Sequence, residues 1–190
     1  MADRYVAETI NYERFPGLRE DILRFEASVP EARPILDLGG GSGRDALFLA
    51  QLGRRVIFGD LVAEFCVIAK GAGLPAVHLD AVALPFGDGT FGGVLCSGVL
   101  LHVPRTCLGA ALSEIARVLT EDGMAWISMK EGHGTEWKLD GYIAGERLVN
   151  YYTVPGISDT CEDVGLAVVG EWHGTARPWF SLAARRVTGT

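Results

Sequence analysis

The chain has 190 residues, of which 48% are hydrophobic, which is enough for one domain with a sizeable core but short for two. Its formal net charge of -7 disfavours nucleic acid and anionic membranes as partners, because Lys and Arg contacts to phosphate supply most non-specific affinity. The start of the chain is charged and no apolar run reaches roughly 18 residues, so we expect no signal peptide, no membrane helix and no membrane contact. The four cysteines lack metal-ligand spacing, which predicts a reduced, cytoplasmic protein without structural zinc.

Two helices are predicted at the start of the chain. Leu18, Ile22 and Phe25 fall at helical spacing, and Pro16-Gly17 separates them from a shorter helical stretch upstream. We expect these elements, residues 1–30, to form a helical cap on the rest of a single domain.

Strands and helices then alternate over residues 34–130. The predicted strands are RPILDL, RRVIFGD, AVHLD, FGGVLCSG and MAWISMK, and the intervening helices stop at glycines, the last of them at Gly123. Alternation of this kind is typical of a parallel sheet covered by helices on both faces.

The last third of the chain has a different character. Residues 131–153 are polar, aromatic and interrupted by glycine, which indicates a long irregular connection over one edge. Residues 154–190 hold a short helix and then LAVVGEW and WFSLAARRV, which read as an antiparallel hairpin. Together these elements predict an α/β fold with seven strands, mostly parallel, and a C-terminal antiparallel hairpin.

Polar residues follow four of the predicted strands. Asp37, Asp60 and Asp80 end the first three strands, and Ser97 ends the fourth. Ligands of open α/β sheets bind at the carboxyl ends of the strands, so we expect these residues to converge on one crevice. The glycine run at 39–43 would let a ligand approach backbone N–H groups at a helix N-terminus.

The acid before the glycine run bears on the kind of ligand. A G-x-G-x-x-A pattern (Gly41, Gly43, Ala46) followed by Asp60 fits a dinucleotide fold only weakly. A carboxylate at Asp37 would repel a pyrophosphate and suits a cationic group instead. These residues favour a ligand that carries an ammonium, a ribose and an adenine but no phosphate.

Three segments carry a resemblance to a known family. DLGGGSG at 37–43 resembles the first motif, E/D-x-G-x-G-x-G, of class I S-adenosylmethionine-dependent methyltransferases. HLDAVALPFGDGTFGGVLCSGVLLHVP and ALSEIARVLTEDGMAWISM resemble the two segments that follow in that family, although Gly92 replaces the usual aspartate after Phe91. The match runs in register from about residue 34 to 130, the expected cofactor-binding core, and implies a Rossmann-like sheet.

The resemblance implies roles in binding S-adenosylmethionine. Asp37 would orient the amino end of the cofactor, Asp60 would accept both ribose hydroxyls, and Asp80 would accept from the adenine amino group. The remaining cofactor residues would be Ala81 and Leu61 beside the adenine, and Gly39, Gly41, Gly43 and Ser97 along the methionine part.

Plainer roles stay open for several of these residues. Asp60 could cap the following helix, since an acid there satisfies backbone N–H groups, and Asp80 could be a turn residue. His102, in the context VLLHVP, could bond the loop backbone rather than face the reacting groups.

Methyl transfer needs a general base only when the acceptor must lose a proton. The candidates are His102, Glu131, His133 and Tyr152, the middle two because they directly follow the fifth strand. The four histidines lack metal-ligand spacing, so no metal is expected. Residues 131–153 would form a substrate lid.

The sequence thus predicts a methyltransferase, monomeric or homodimeric, that acts on a small molecule. Three alternatives stay open: an NAD(P)-binding oxidoreductase, an S-adenosylmethionine-binding protein without catalysis, and a protein or RNA methyltransferase. The acid at Asp37 disfavours the first alternative, and the acidic net charge disfavours RNA.

Overall fold

One seven-stranded sheet organises the computed structural model, which describes residues 2–139, 145–174 and 178–187. Its strands are β1 (Ile35–Leu38), β2 (Val56–Asp60), β3 (Ala76–His78), β4 (Phe91–Ser97), β5 (Leu119–Lys130), β8 (Leu166–His173) and β9 (Trp179–Arg186); β6 (Thr135–Leu139) and β7 (Glu146–Asn150) form a separate antiparallel pair. The order across the sheet is β3-β2-β1-β4-β5-β9-β8. Strands β1 to β5 are parallel and β9 is antiparallel to both neighbours, which confirms the predicted fold class.

Helices cover both faces of the sheet. They are α1 (Ala2–Thr9), α2 (Leu18–Ser28), α3 (Arg44–Gln51), α4 (Ala63–Gly71), α5 (Leu108–Val118) and α6 (Val154–Asp163). One face packs against α2, α3 and α4, and its buried core includes Phe25, Phe58 and Trp126. The other face packs against α5 and α6, with Leu112 and Ile127 in its core.

The junction between α5 and β5 differs from the prediction. The helix was expected to run to Gly123, but it ends at Val118, and β5 begins at Leu119, which pairs with Phe91. The pairing then shifts register before it resumes at Met124. Asp122 has a φ of 60°, a left-handed conformation that a helix cannot contain.

Residues 131–153 also differ from the prediction of an irregular connection. Strands β6 and β7 pair over five positions, from Thr135 with Asn150 to Leu139 with Glu146. Every residue of β6 is exposed. Because β6 has no buried face, its sequence lacks the run of apolar residues by which a buried strand is recognised. Tyr142, which we expected in the lid, lies outside the described residues.

No helix in the described ranges is long and apolar enough to cross a membrane. No group of three or more His, Cys, Asp or Glu side chains in those ranges is arranged to hold a metal ion.

Candidate active site

The connection between β1 and α3 is a glycine loop, residues 39–43. Gly39, Gly41 and Gly43 have φ values of 70°, 52° and 76°, a region that side chains rarely adopt. A Cβ on Gly39 would lie 2.4 Å from the side chain of Val99. The loop therefore needs glycine both for its backbone conformation and for its close approach to the segment after β4.

Asp37 is a buried carboxylate behind this loop. It is 2% exposed, and its Oδ2 has no hydrogen-bond partner among the described residues. Burial and the negative charge of Asp45 raise the pKa of Asp37 well above its ordinary value; Asp60 adds to this rise and Arg44 opposes it. A cation beside Asp37 would relieve this unfavourable charge, so the site fits the ammonium of S-adenosylmethionine and not a pyrophosphate.

Asp60 connects the glycine loop to the start of α4. Its Oδ2 accepts from the Gly41 backbone N–H at 2.9 Å, and its Oδ1 accepts from the Val62 N–H at 2.8 Å. Burial raises the pKa of Asp60, and these backbone hydrogen bonds oppose the rise. The carboxylate is thus fixed at the carboxyl end of β2, where the sequence predicts ribose binding.

The residues expected around the adenine lie after β2 and β3. The Asp80 carboxylate accepts from the Val82 N–H at 3.1 Å, so Asp80 does form a turn, while its side chain remains exposed. Leu61 is 62% exposed and Ala81 is buried. These three residues and Asp60 do not line the main cavity, which begins at the glycine loop.

That cavity has a volume of about 620 Å³ and extends from the glycine loop past the end of β4 toward β9. Asp37, Gly39 and Ser97 line its first part. The far part is bounded by two indole rings and by cations on β5 and the β6–β7 pair. The far residues are Trp172, Trp179, Lys130, Lys138 and Arg147.

Trp179 lies in the cavity wall. A Cβ on Gly98 would lie 3.2 Å from its ring, so the indole contacts the end of β4. Lys130 stands 5.9 Å from the ring centroid. The order of strands brings these residues together, since β5 lies between β4 and β9.

The four candidate bases are in different surroundings. His102 lines the cavity, and its Nδ1 lies 2.6 Å from the Leu148 carbonyl oxygen, so that nitrogen carries the proton in this contact. Glu131 and His133 are exposed, do not line the cavity, and Glu131 pairs with His173 at 3.4 Å. Of the four, only His102 lines the cavity.

Tyr152 is a core residue, contrary to the expectation of an acid–base group. It is 7% exposed, packs within the cluster around α5 and α6, and does not line the cavity. Burial raises the pKa of Tyr152. An isolated parallel bridge joins the backbones of Glu131 and Tyr152.

The N-terminal cap lies over the glycine loop. The ring of Tyr5 is within 3.1 Å of the position a Gly41 Cβ would take, and it packs against Phe65 with centroids 5.1 Å apart. Arg44 donates to the Thr9 carbonyl oxygen at 2.9 Å. The cap therefore forms part of the site, and Tyr5 was not singled out by the sequence.

The β6–β7 pair forms the rim opposite the cap. Asn150 Nδ2 donates to the carbonyl oxygens of Leu101 and Val103 at 3.1 and 2.8 Å, and Arg105 donates to the Gly134 carbonyl oxygen at 2.7 Å. Side chains from both strands, including Leu139, reach the cavity. The base of this pair is thus fixed to the segment after β4.

The fold and the site together define a Rossmann-like α/β protein with a buried carboxylate, Asp37, behind the glycine loop. The family described as a methyltransferase domain matches residues 36–127. A protein of Encephalitozoon cuniculi named "Putative methyltransferase" is 30% identical over 158 residues, 74% of this chain and 72% of that protein. The chain belongs to the class I S-adenosylmethionine-dependent methyltransferase family, and its cofactor is S-adenosylmethionine.

Two other proteins are similar over most of the chain. An uncharacterized methyltransferase of Mycobacterium avium is 35% identical over 132 residues, 63% of this chain and 50% of that protein. The chain spans about half the length of the mycobacterial relatives it matches. The 1,6-didemethyltoxoflavin-N1-methyltransferase of Burkholderia thailandensis, solved with 1,6-didemethyltoxoflavin and S-adenosylhomocysteine, is 25% identical with a TM-score of 0.74, over 91% of this chain and 79% of that chain.

Proposed function

We propose that this protein transfers a methyl group from S-adenosylmethionine to a small, flat acceptor molecule. One observation carries the proposal: a single cavity is lined both by the glycine loop and by the indole of Trp179. Its volume of about 620 Å³ lies within the roughly 300–1,000 Å³ of small-molecule sites. A macromolecular acceptor would instead need an open groove.

The chain's own residues would divide the work between a cofactor side, which runs from the glycine loop to residues outside the cavity after β2 and β3, and an acceptor end at the far part of the cavity. Asp37 would hold the cofactor's ammonium, and Asp60 and Asp80 would hold the ribose and the adenine amino group. The other residues proposed on the cofactor side are Gly39, Gly41, Gly43, Leu61, Ala81 and Ser97.

The acceptor end would orient a ring and exclude water. The indole of Trp179 in the cavity wall favours an aromatic or heteroaromatic acceptor, and a similar enzyme from Burkholderia was solved with a small molecule, 1,6-didemethyltoxoflavin. When bound, S-adenosylmethionine supplies a methyl group whose bond to sulfur breaks as the acceptor atom bonds the carbon, so the sulfur keeps the electron pair. Such a displacement depends mainly on orientation and desolvation.

Calorimetry with the purified chain tests the cofactor, and a mass-shift screen tests the acceptor. We expect S-adenosylhomocysteine to bind and NAD and NADP not to bind. Incubation with methyl-labelled S-adenosylmethionine and a library of flat small molecules should label at least one of them, while protein and RNA fractions stay unlabelled. Tighter binding of NAD would restore the oxidoreductase alternative, and cofactor binding without any labelled product would favour a binding protein.

A further inference from the structure

Three serine side chains form a row across the sheet at the carboxyl end of β4. Ser97 on β4 pairs with Ser128 on β5, and Ser128 pairs with Ser181 on β9. Directly paired residues of adjacent strands project to the same face of a sheet. All three line the cavity, so this serine row, Ser97, Ser128 and Ser181, is a polar strip in its wall.

The row ends at a carboxylate on α2. Ser128 Oγ lies 2.9 Å from Ser181 Oγ, and Ser181 Oγ donates to Asp21 Oδ2 at 3.1 Å. An ionised carboxylate only accepts hydrogen bonds, so Ser181 gives its proton to Asp21 and must accept from Ser128. Ser128 has then used its own proton, and its oxygen lone pairs are what the row offers to a ligand.

The position of Ser128 argues against a purely structural hydrogen-bond chain. Ser128 and Ser181 are 6% and 7% exposed, and buried hydroxyls are unfavourable unless they are hydrogen-bonded. A contact that only fastened α2 to β9 would need Asp21 and Ser181 alone. Ser128 extends the chain toward Ser97 and the cofactor end of the cavity.

The surroundings of Asp21 suit a group that takes up a proton. Burial raises the pKa of Asp21, with a small contribution from Glu20, while Ser181 and Arg24 lower it. Arg24 lies 3.0 Å from the other carboxylate oxygen, and the Asp21 side chain is 20% exposed. A proton that reaches Asp21 can therefore leave to water.

We propose that Ser128, Ser181 and Asp21 form a proton relay for the acceptor, which therefore presents an O–H or N–H group to Ser128. The inference rests on the proposed methyl transfer. As the acceptor atom gains its methyl group, its proton passes to Ser128 Oγ, the Ser128 proton passes to Ser181 Oγ, and the Ser181 proton passes to Asp21. Ser128 contacts the acceptor directly, whereas Ser181 and Asp21 are positioning residues that act through it.

Binding of matched compound pairs tests the relay without turnover. The chain, saturated with S-adenosylhomocysteine, is titrated with 4-nitrophenol, indole and benzimidazole, and with 4-nitroanisole, 1-methylindole and 1-methylbenzimidazole, their methylated forms. We expect at least one O–H or N–H compound to bind roughly tenfold more tightly than its methylated form. This is the gain expected from one hydrogen bond donated to Ser128 Oγ, which is connected through Ser181 to the Asp21 carboxylate. Ser128→Ala should remove this preference.

Two variants of α2 separate the relay from general effects on the cavity. Asp21→Asn, nearly isosteric, should reduce the preference and slow methylation of any compound that is turned over, and Asp21→Glu should restore part of that rate. Glu31→Gln is the control, because Glu31 is an exposed acid just after α2 that does not line the cavity, and it should behave as the wild type. All variants should keep their affinity for S-adenosylhomocysteine.

Several results would overturn the relay. One is that the wild type binds no O–H or N–H compound more tightly than its methylated form, which includes failure of every compound to bind. Another is that this preference persists in Ser128→Ala. Loss of S-adenosylhomocysteine affinity in Asp21→Asn would make Asp21 a cofactor residue instead. Failure of the wild type to bind S-adenosylhomocysteine would overturn the proposed function itself, and so is distinguishable from failure of the relay.

Discussion

The hydroxyl of Tyr12 donates a 2.8 Å hydrogen bond to Asp45 Oδ1, and this contact joins the N-terminal cap to the first turn of α3. Arg44 reinforces it, since its guanidinium binds both oxygens of Asp45 at 2.8 and 3.0 Å. The same guanidinium lies 4.5 Å from the ring centroid of Phe15. The cap is therefore held to the helix that follows the glycine loop by a charged, partly buried network.

Tyr12→Phe should weaken this attachment. Burial and the adjacent Asp45 raise the pKa of Tyr12, so its hydroxyl stays a donor at neutral pH. We expect the free energy of unfolding to fall by about 1.5 kcal/mol, typical of a lost hydrogen bond to a charged group. Urea denaturation measures this. Tyr151→Phe is the control, because Tyr151 donates to Glu136 in an exposed pair and its loss should cost less than about 0.5 kcal/mol.

Asp37→Asn should change both pH dependence and cofactor binding. The pKa of Asp37 in the folded protein lies above its ordinary value of 3.8, so the unfolded chain releases this proton first as the pH rises. Wild-type stability should therefore fall relative to the variant from about pH 4 upward, through the raised pKa. Urea denaturation at pH 4 and pH 7 should show this difference, and calorimetry should show weaker S-adenosylmethionine binding by the variant.

Asp159→Asn provides the comparison for Asp37→Asn, since Asp159 is exposed on α6. It should alter neither the pH dependence of stability nor cofactor binding. A constant stability difference between wild type and Asp37→Asn at both pH values would contradict the raised pKa.

Asp60→Asn should weaken S-adenosylhomocysteine binding. Loss of charge-assisted hydrogen bonds to the ribose hydroxyls should cost roughly 1.5–3 kcal/mol, which is about 10- to 150-fold in the dissociation constant. The amide oxygen of Asn can still accept from one backbone N–H, so the fold should persist. Glu64→Gln, an exposed change in the first turn of α4, should leave affinity unaltered. If Asp60→Asn binds S-adenosylhomocysteine as tightly as the wild type does, Asp60 serves only to accept hydrogen bonds from the backbone N–H groups of Gly41 and Val62.

Gly39→Ala should be more damaging than Gly53→Ala. Both glycines have positive φ, 70° and 86°, but a Cβ on Gly53 would meet nothing within 4 Å. Gly53→Ala should therefore show only the backbone strain of about 1–2 kcal/mol. Gly39→Ala adds the clash with Val99, which should cost roughly another 1–3 kcal/mol. Thermal denaturation measures both, and equal losses would mean that the loop can move away from Val99.

The cofactor end of the site could be predicted because its signals are local. Asp37 lies near the end of the short buried strand β1 and Asp60 is the last residue of β2, and the alternation of strands and helices places both at one edge of a parallel sheet. The glycine run permits the positive φ values that this loop adopts. These features need no knowledge of which strands are neighbours.

The acceptor end could not be predicted in the same way. Ser128 and Ser181 are lone serines in the apolar strands WISMK and WFSLAA, and only the strand order makes them neighbours. A polar residue on an otherwise apolar, buried strand is the signal that could have indicated them. Ser128 and Ser181 are cavity residues that the sequence did not indicate, whereas Tyr152 was expected in the site and is buried in the core. An aromatic residue in a glycine-rich connection was interpreted as part of a lid.

The antiparallel direction of β9 separates the two ends of the site along the chain. Cofactor contacts are proposed from residues 37–97, whereas the serine row continues at Ser128 and the indoles lie at Trp172 and Trp179. The family match ends at residue 127, before Ser128, Trp172 and Trp179 are reached. We therefore expect exchange of residues 128–187 with a relative to alter the proposed acceptor end of the cavity and to leave the glycine loop, the proposed cofactor side, unchanged.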